Sequence, residues 1–125
     1  MVIKGPLSMA GTIINVSDEN YEEVKQAPAA VVAYGIGSCQ PCVEYDPILE
    51  SVAAKNVHIQ IGKAKMHVPG RCRGMKKQHT FETYPTTHFF SKGELLLTRE
   101  GKIEEAELTA LFRQHFSDSR LPQVF

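Results

Sequence analysis

The chain has 125 residues with 42% hydrophobic and 22% charged side chains, the balance of one folded domain rather than a disordered or fibrous chain. Basic and acidic residues, 14 of each, cancel to a net charge of zero, so bulk charge argues for neither nucleic acid nor a membrane surface as partner. Three cysteines, Cys39, Cys42 and Cys72, are too few and too odd in number for a secreted disulfide framework.

The first residues lack the apolar core of a secretory signal, and no apolar run approaches a membrane span of roughly 20 residues. A cytoplasmic location is the expectation. Residues 1–10 read as a flexible tail, which could carry a cloning remnant, with Met9 as a plausible second start. The expected domain runs over residues 11–118, and 119–125 form a second tail.

Thr12–Val16 is short, β-branched and apolar, and predicts a strand. Ser17 or Asp18 is the expected cap of a short helix that ends near Gln26, before Pro28. Ala29–Tyr34 is apolar throughout, as a strand buried on both faces must be. A helix is expected just after the cysteines, with Val43, Leu49, Val52 and Ala53 inward and Pro47 removing a backbone donor. Val57–Ile61 alternates and predicts a third strand, and 62–74 reads as loop. A short helix over Arg73–His79 precedes a hairpin of Thr86–Phe90 and Leu95–Thr98, turning at Lys92-Gly93-Glu94. Glu104–Phe116 closes as an amphipathic helix with Leu108, Leu111, Phe112 and either His115 or Phe116 inward. Strands alternating with helices, then a hairpin and a helix, predict an α/β domain with a mixed sheet covered by helices on both faces.

The chemistry concentrates in Ser38-Cys39-Gln40-Pro41-Cys42, between an apolar strand and a helix start. A helix N-terminus offers unpaired N–H groups and partial positive charge, which stabilise a thiolate. The first cysteine is then placed to attack a disulfide, and the second, one turn on, to resolve the mixed disulfide. Pro41 suits a first helical turn, where its missing N–H costs little. Two other readings stay open. C-x-x-C is half of many zinc sites, for which Cys72 with His67 or His79 are the available partners. Two buried, inert cysteines would also fit.

The segment resembles the thioredoxin superfamily over about Thr12–Phe116. Three markers carry the resemblance: Val31-Val32-Ala33-Tyr34 followed by Cys39-Gln40-Pro41-Cys42; Pro47 in the next helix; and Thr83-Tyr84-Pro85-Thr86-Thr87-His88-Phe89-Phe90 with Ser91-Lys92-Gly93 after it. The resemblance implies a thioredoxin fold with a four- to five-stranded sheet. It implies Cys39 as nucleophile, Cys42 as resolving thiol, and a cis Tyr84–Pro85 bond against the sulfurs. It further implies that Tyr84, Pro85, Gln40 and Pro41 bind substrate. Implied partners are a disulfide-containing protein and an upstream dithiol reductase. No cofactor or metal is implied, since the dithiol itself carries two electrons. A monomer is expected.

Departures from the family are as informative. Ser38 stands where thioredoxins carry Trp, Gln40 where they carry Gly, and Ala33 where they carry a buried Asp thought to take the proton of the resolving thiol. Glu44, His79 and Lys63 are the candidate replacements. Slower reductase chemistry or a specialised partner is expected, and the alternative function is a binding or redox-sensing module with little general reductase activity.

One further asymmetry hides behind the zero net charge. No acid lies between Glu50 and Glu82, whereas Lys55, Lys63, Lys65, Arg71, Arg73, Lys76 and Lys77 do. The 63–77 stretch is either a solvated surface or a docking face for an acidic partner. Cys72, between Arg71 and Arg73, is a candidate third redox thiol because nearby cations favour a thiolate.

Overall fold

The computed structural model describes residues 11–116. The two expected tails lie outside these residues. In chain order the elements are β1 (Ile14–Val16), α1 (Tyr21–Lys25), β2 (Ala30–Gly35), α2 (Gln40–Lys55), β3 (Gln60–Lys65), α3 (Arg73–Gln78), β4 (Thr86–Ser91), β5 (Glu94–Glu100) and α4 (Glu105–Phe116).

They form one five-stranded mixed sheet in the order β1-β3-β2-β4-β5. Central β2 pairs parallel with β3 and antiparallel with β4. Every β2 residue is buried, because helices cover both faces. Alternation sorts its side chains. Val31 and Ala33 pack with Tyr45, Leu49 and Val52 of α2 and with Leu108 and Phe112 of α4. Ala30, Val32 and Tyr34 pack on the opposite face with Tyr21 and Val24 of α1 and Met75 of α3. Tyr45 also reaches across to β4, with its hydroxyl 2.9 Å from that of Thr87.

The hairpin turn is built as read. Lys92 and Gly93 both adopt positive φ, 52° and 90°, as a two-residue turn between twisted strands needs. The Lys92 and Gly93 amides donate to the Ala27 and Lys25 carbonyls, which ties the turn to the end of α1.

Two expected elements are corrected. The third strand is not Val57–Ile61 but Gln60–Lys65, with Val57 and His58 exposed before it. Gly62 looks like a loop residue in sequence. In the sheet it sits between Ile14 and Val32, and a Cβ there would run into the Val16 side chain. The glycine lets β1 and β3 approach, and so carries the strand on to Lys63. The helix after β1 is capped by neither Ser17 nor Asp18. Its N-cap is Asn20, whose side chain makes no capping bond and instead accepts from the Ser17 amide. Asp18 caps α3, accepting from the Arg73 and Gly74 amides at 2.8 and 2.9 Å. At the end of α4, Phe116 is the buried residue and His115 is half-buried.

The α1/α3 face holds a chain of polar rings. Tyr21 and Tyr34 hydroxyls are 2.6 Å apart, and Tyr34 Oη lies 3.0 Å from His88 Nδ1. The His79 and His88 rings meet edge to face at 4.6 Å. Burial, with the His79 ring and the Lys25 ammonium adding to it, pushes His88 down from 6.5 to about 4. Burial also lowers His79.

Two outcomes follow from these contacts. Gly62→Ala should destabilise by roughly 1–3 kcal/mol in denaturant unfolding, the cost of forcing packed strands apart. An unchanged midpoint would show that β1 yields freely. Secondly, the unfolded chain protonates His88 below about pH 6.5, the folded one only near pH 4, so stability is complete above the first value and falls toward the second. The loss from His88 is at most roughly 3 kcal/mol. In His88→Leu the unfolding free energy should fall much less between those limits, and an unaltered slope would assign the acid sensitivity elsewhere.

Candidate redox site

The apolar β2 strand ends at Gly35, and the chain turns through exposed Gly37 and Ser38 into α2. Gly35 is constrained, since a Cβ there would lie 3.2 Å from Cys42 Sγ. Cys39 is the N-cap of α2, with extended backbone at φ −102° and ψ 112°. Its Sγ accepts from the Cys42 amide at 3.1 Å, and its carbonyl accepts from Val43 N–H. The helix N-terminus therefore points its free donors at this sulfur.

Cys39 and Cys42 are joined in a disulfide, with Cα atoms 5.2 Å apart. Cys39 is half-buried and Cys42 is 5% exposed, so an incoming group reaches the first sulfur more readily. The Tyr84–Pro85 peptide is cis. It brings the Tyr84 carbonyl to 3.5 Å from Cys39 Sγ, and Pro85 lines the pocket beside Cys42. Pro85 is buried and Tyr84 half-buried. The Tyr84 ring stacks on Phe81, and Phe81 packs on Tyr34 with centroids 4.6 Å apart. Phe81, unremarked in the sequence, thus anchors the segment that faces the sulfurs.

Gln40 and Pro41 are exposed beside the disulfide. Gln40 Nε2 donates to Glu44 at 3.2 Å, one helical turn on. Pro47 lies inside α2, and the helix continues through it to Lys55. The candidate zinc partners do not assemble: among the described residues no three His, Cys, Asp or Glu side chains converge.

The three candidate replacements for the missing strand carboxylate are placed very differently. Glu44 is exposed on α2, held by Lys102 at 3.1 Å, and hydrogen bonds from Lys102 and Gln40 lower its carboxyl below the usual range. His79 lies with His88 on the α1/α3 face of the sheet. Lys63 is the one that lines the pocket under Cys42, directly across from Ala33 in the β2–β3 register. It is ion-paired to Asp46 of α2 at 2.6 Å. Asp46 was not singled out in sequence. The available signal is its spacing, since positions 42 and 46 are i and i+4 on one helix face.

Cys72 stands apart from the pair. It is 2% exposed among Met66, Met75 and Tyr34, and its Sγ donates to the Lys65 carbonyl at 3.6 Å. Burial and then the Asp18 carboxylate push its thiol up, against the lowering by Lys76 and Arg71. Burial and Asp18 thus oppose the cations that flank it in sequence.

The comparisons with known proteins agree with this geometry. The thioredoxin family model matches residues 12–114. A curated relative, thioredoxin of Chlamydia pneumoniae, is 28% identical over 102 residues, covering 80% of this chain and 95% of its own length. Among solved structures, thioredoxin f2 of Chlamydomonas reinhardtii superposes with a TM-score of 0.74 at 17% identity, covering 86% of this chain and 99% of that one. Thioredoxin of Trypanosoma brucei brucei gives 0.76 at 15% identity, covering 94% and 100%. With most of its length matched by the family model and its sheet shared with these structures, the chain belongs to the thioredoxin family.

Proposed function

We propose that the protein reduces or exchanges disulfides in partner proteins through the Cys39/Cys42 dithiol. The observation that carries this reading is the asymmetry of the pair. A half-buried sulfur caps a helix N-terminus, and a buried sulfur one turn along is already bonded to it. Helix-terminal donors favour the thiolate at Cys39, which makes it the attacking sulfur. It bonds to one substrate sulfur, and the other leaves as a thiolate and takes a proton from water. Cys42 then attacks Cys39, the mixed disulfide breaks, and the first substrate sulfur leaves. Two electrons pass to the substrate, and an upstream dithiol reductase of the cell restores the pair.

Substrate lies in an extended strand along the Tyr84 backbone, a mode in which main-chain groups supply affinity. Pro85, Gln40 and Pro41 complete its contacts around the sulfurs. Ser38 and Gln40 replace an aromatic and a small residue at this rim, and so narrow the range of partners. The basic stretch sharpens the choice. Lys63 is committed to Asp46 and Lys55 to Glu105, whereas Lys65, Arg71, Arg73, Lys76 and Lys77 stand exposed. That face suits a partner with an acidic surface. The protein acts as a monomer in the cytoplasm; among the described residues no helix is long and apolar enough to cross a membrane.

Insulin reduction driven by dithiothreitol tests the central claim. Wild type should accelerate precipitation of the insulin B chain, and Cys39→Ser should abolish the acceleration while keeping its thermal transition. A folded but inactive wild type would favour the binding or sensing module instead. Cys72 gives a separate check. In the reduced native protein an alkylating agent should label Cys39 rapidly and Cys72 only after denaturation. Rapid native labelling of Cys72 would make it a third reactive thiol.

A further inference from the structure

Cys42 is buried, and it must lose a proton before it can attack Cys39. We propose that the Asp46 carboxylate, held in place by Lys63, takes that proton. The inference rests on the dithiol reading above and names the group that serves its second step.

The geometry is local. Cys42 and Asp46 lie one turn apart on the same face of α2, a spacing that puts Cβ atoms roughly 5–6 Å apart. Both line a pocket of about 10 Å³ beneath the disulfide, together with Ala33, Lys63 and Pro85. That volume is enough for about one water molecule, and a proton can pass from thiol to carboxylate through a single water. Both also line an adjoining groove of about 270 Å³ that opens past Gly37 to solvent. The carboxylate can therefore pass its proton outward.

The other ionisable groups around Cys42 are poorly suited. From β2 comes Tyr34, whose hydroxyl is 2.6 Å from Tyr21 and whose pKa burial raises far above its usual value. From α2 comes Tyr45, bonded to Thr87 and pushed by burial up to about 12. From β3 comes Lys63, whose ammonium lies 2.6 Å from Asp46 Oδ1 and has no lone pair to accept a proton. Pro85 carries no titratable group. Across the groove, Lys65 is likewise a cation, and His67 is an exposed side chain 3.1 Å from where a Cβ on Gly37 would be. Asp46 is the one carboxylate among the described residues lining either cavity at Cys42.

The step balances. The Cys42 S–H bond breaks and its proton goes to Asp46. The Cys42 electron pair forms the bond to Cys39 Sγ. The Cys39–substrate bond breaks, and its pair leaves on the substrate sulfur, which is protonated from solvent while Asp46 releases its own proton through the groove. Lys63 is a positioning residue: its ion pair fixes the carboxylate over the pocket.

Stopped-flow reaction of the reduced protein with dithiobis-nitrobenzoate separates the steps, because Cys39 attack releases the first coloured thiolate and Cys42 attack the second. In Asp46→Asn the first release should keep its wild-type rate, while the second slows by about tenfold or more near pH 7. The gap between the two proteins should narrow as pH rises, because hydroxide can then take the proton directly. Asp46→Glu should recover most of the second phase, and His67→Gln should leave its pH profile unchanged. Equal second phases in wild type and Asp46→Asn at every pH would overturn the assignment. So would a tenfold loss in His67→Gln with none in Asp46→Asn. A slow or absent first release in wild type would instead strike at the dithiol reading. Thermal transitions of each variant show whether the fold is kept.

Discussion

Two-sided burial of β2 is the constraint on which the molecule depends. A strand with helices over both faces and neighbours on both edges has no polar surface to display. Its sequence must be apolar at every position, and the chain can meet solvent only where the strand ends. That end is Gly35, and the next helix begins within five residues. The dithiol is thus set at the carboxyl end of the sheet, on a helix N-terminus, by the same packing that makes the core. Antiparallel β4 enters alongside the same strand end, so its first residue, Thr86, follows a cis-proline that faces the sulfurs.

The parts legible in sequence are those encoded by local pattern. The unbroken apolar run of β2, the Cys-Gln-Pro-Cys spacing, the Lys92-Gly93 turn and the 3.6-residue period of α4 each carry their signal within a few residues. The parts that were not legible depend on residues far apart in the chain. Asp18 is a good capping residue, and the nearest helix starts three residues on, yet it caps α3 some 55 residues away. Gly62 is a loop signal until Val16 is packed against it. Cys72 sits between two arginines in sequence and among methionines and a tyrosine in space. Backbone direction alone turns the cations outward and the thiol inward.

The candidate site shows the same division. Both cysteines and the proline opposite them were readable, because their spacing is local and their order along the chain is fixed by the fold. The aromatic buttress of Phe81, Tyr34 and His88 was not, since it joins two strands and the loop before β4 through ring contacts. Asp46 lay within reach of a spacing argument. Glu44 is the nearer carboxylate in sequence, but it is exposed and paired with Lys102, whereas Asp46 lines the pocket at Cys42.

Moving the carboxylate from strand to helix changes the energetics of the site. A charge on β2 would have to be desolvated among Val31, Tyr45 and Phe89, a cost of several kcal/mol for an unpaired group. Asp46 is instead partly exposed, as is Lys63, so each keeps part of its hydration while meeting the other at the pocket wall. The strand can then remain entirely apolar at Ala33. The proton acceptor is coupled to solvent through the groove and rides on the helix that carries both sulfurs. Any tilt of α2 moves nucleophile, resolving thiol and acceptor together, and Tyr45 on Thr87 and Ser51 on Glu105 are among the contacts that limit it. In this chain the alignment of the second step therefore rests on the helix that carries thiol and acceptor, with Lys63 of β3 fixing the carboxylate.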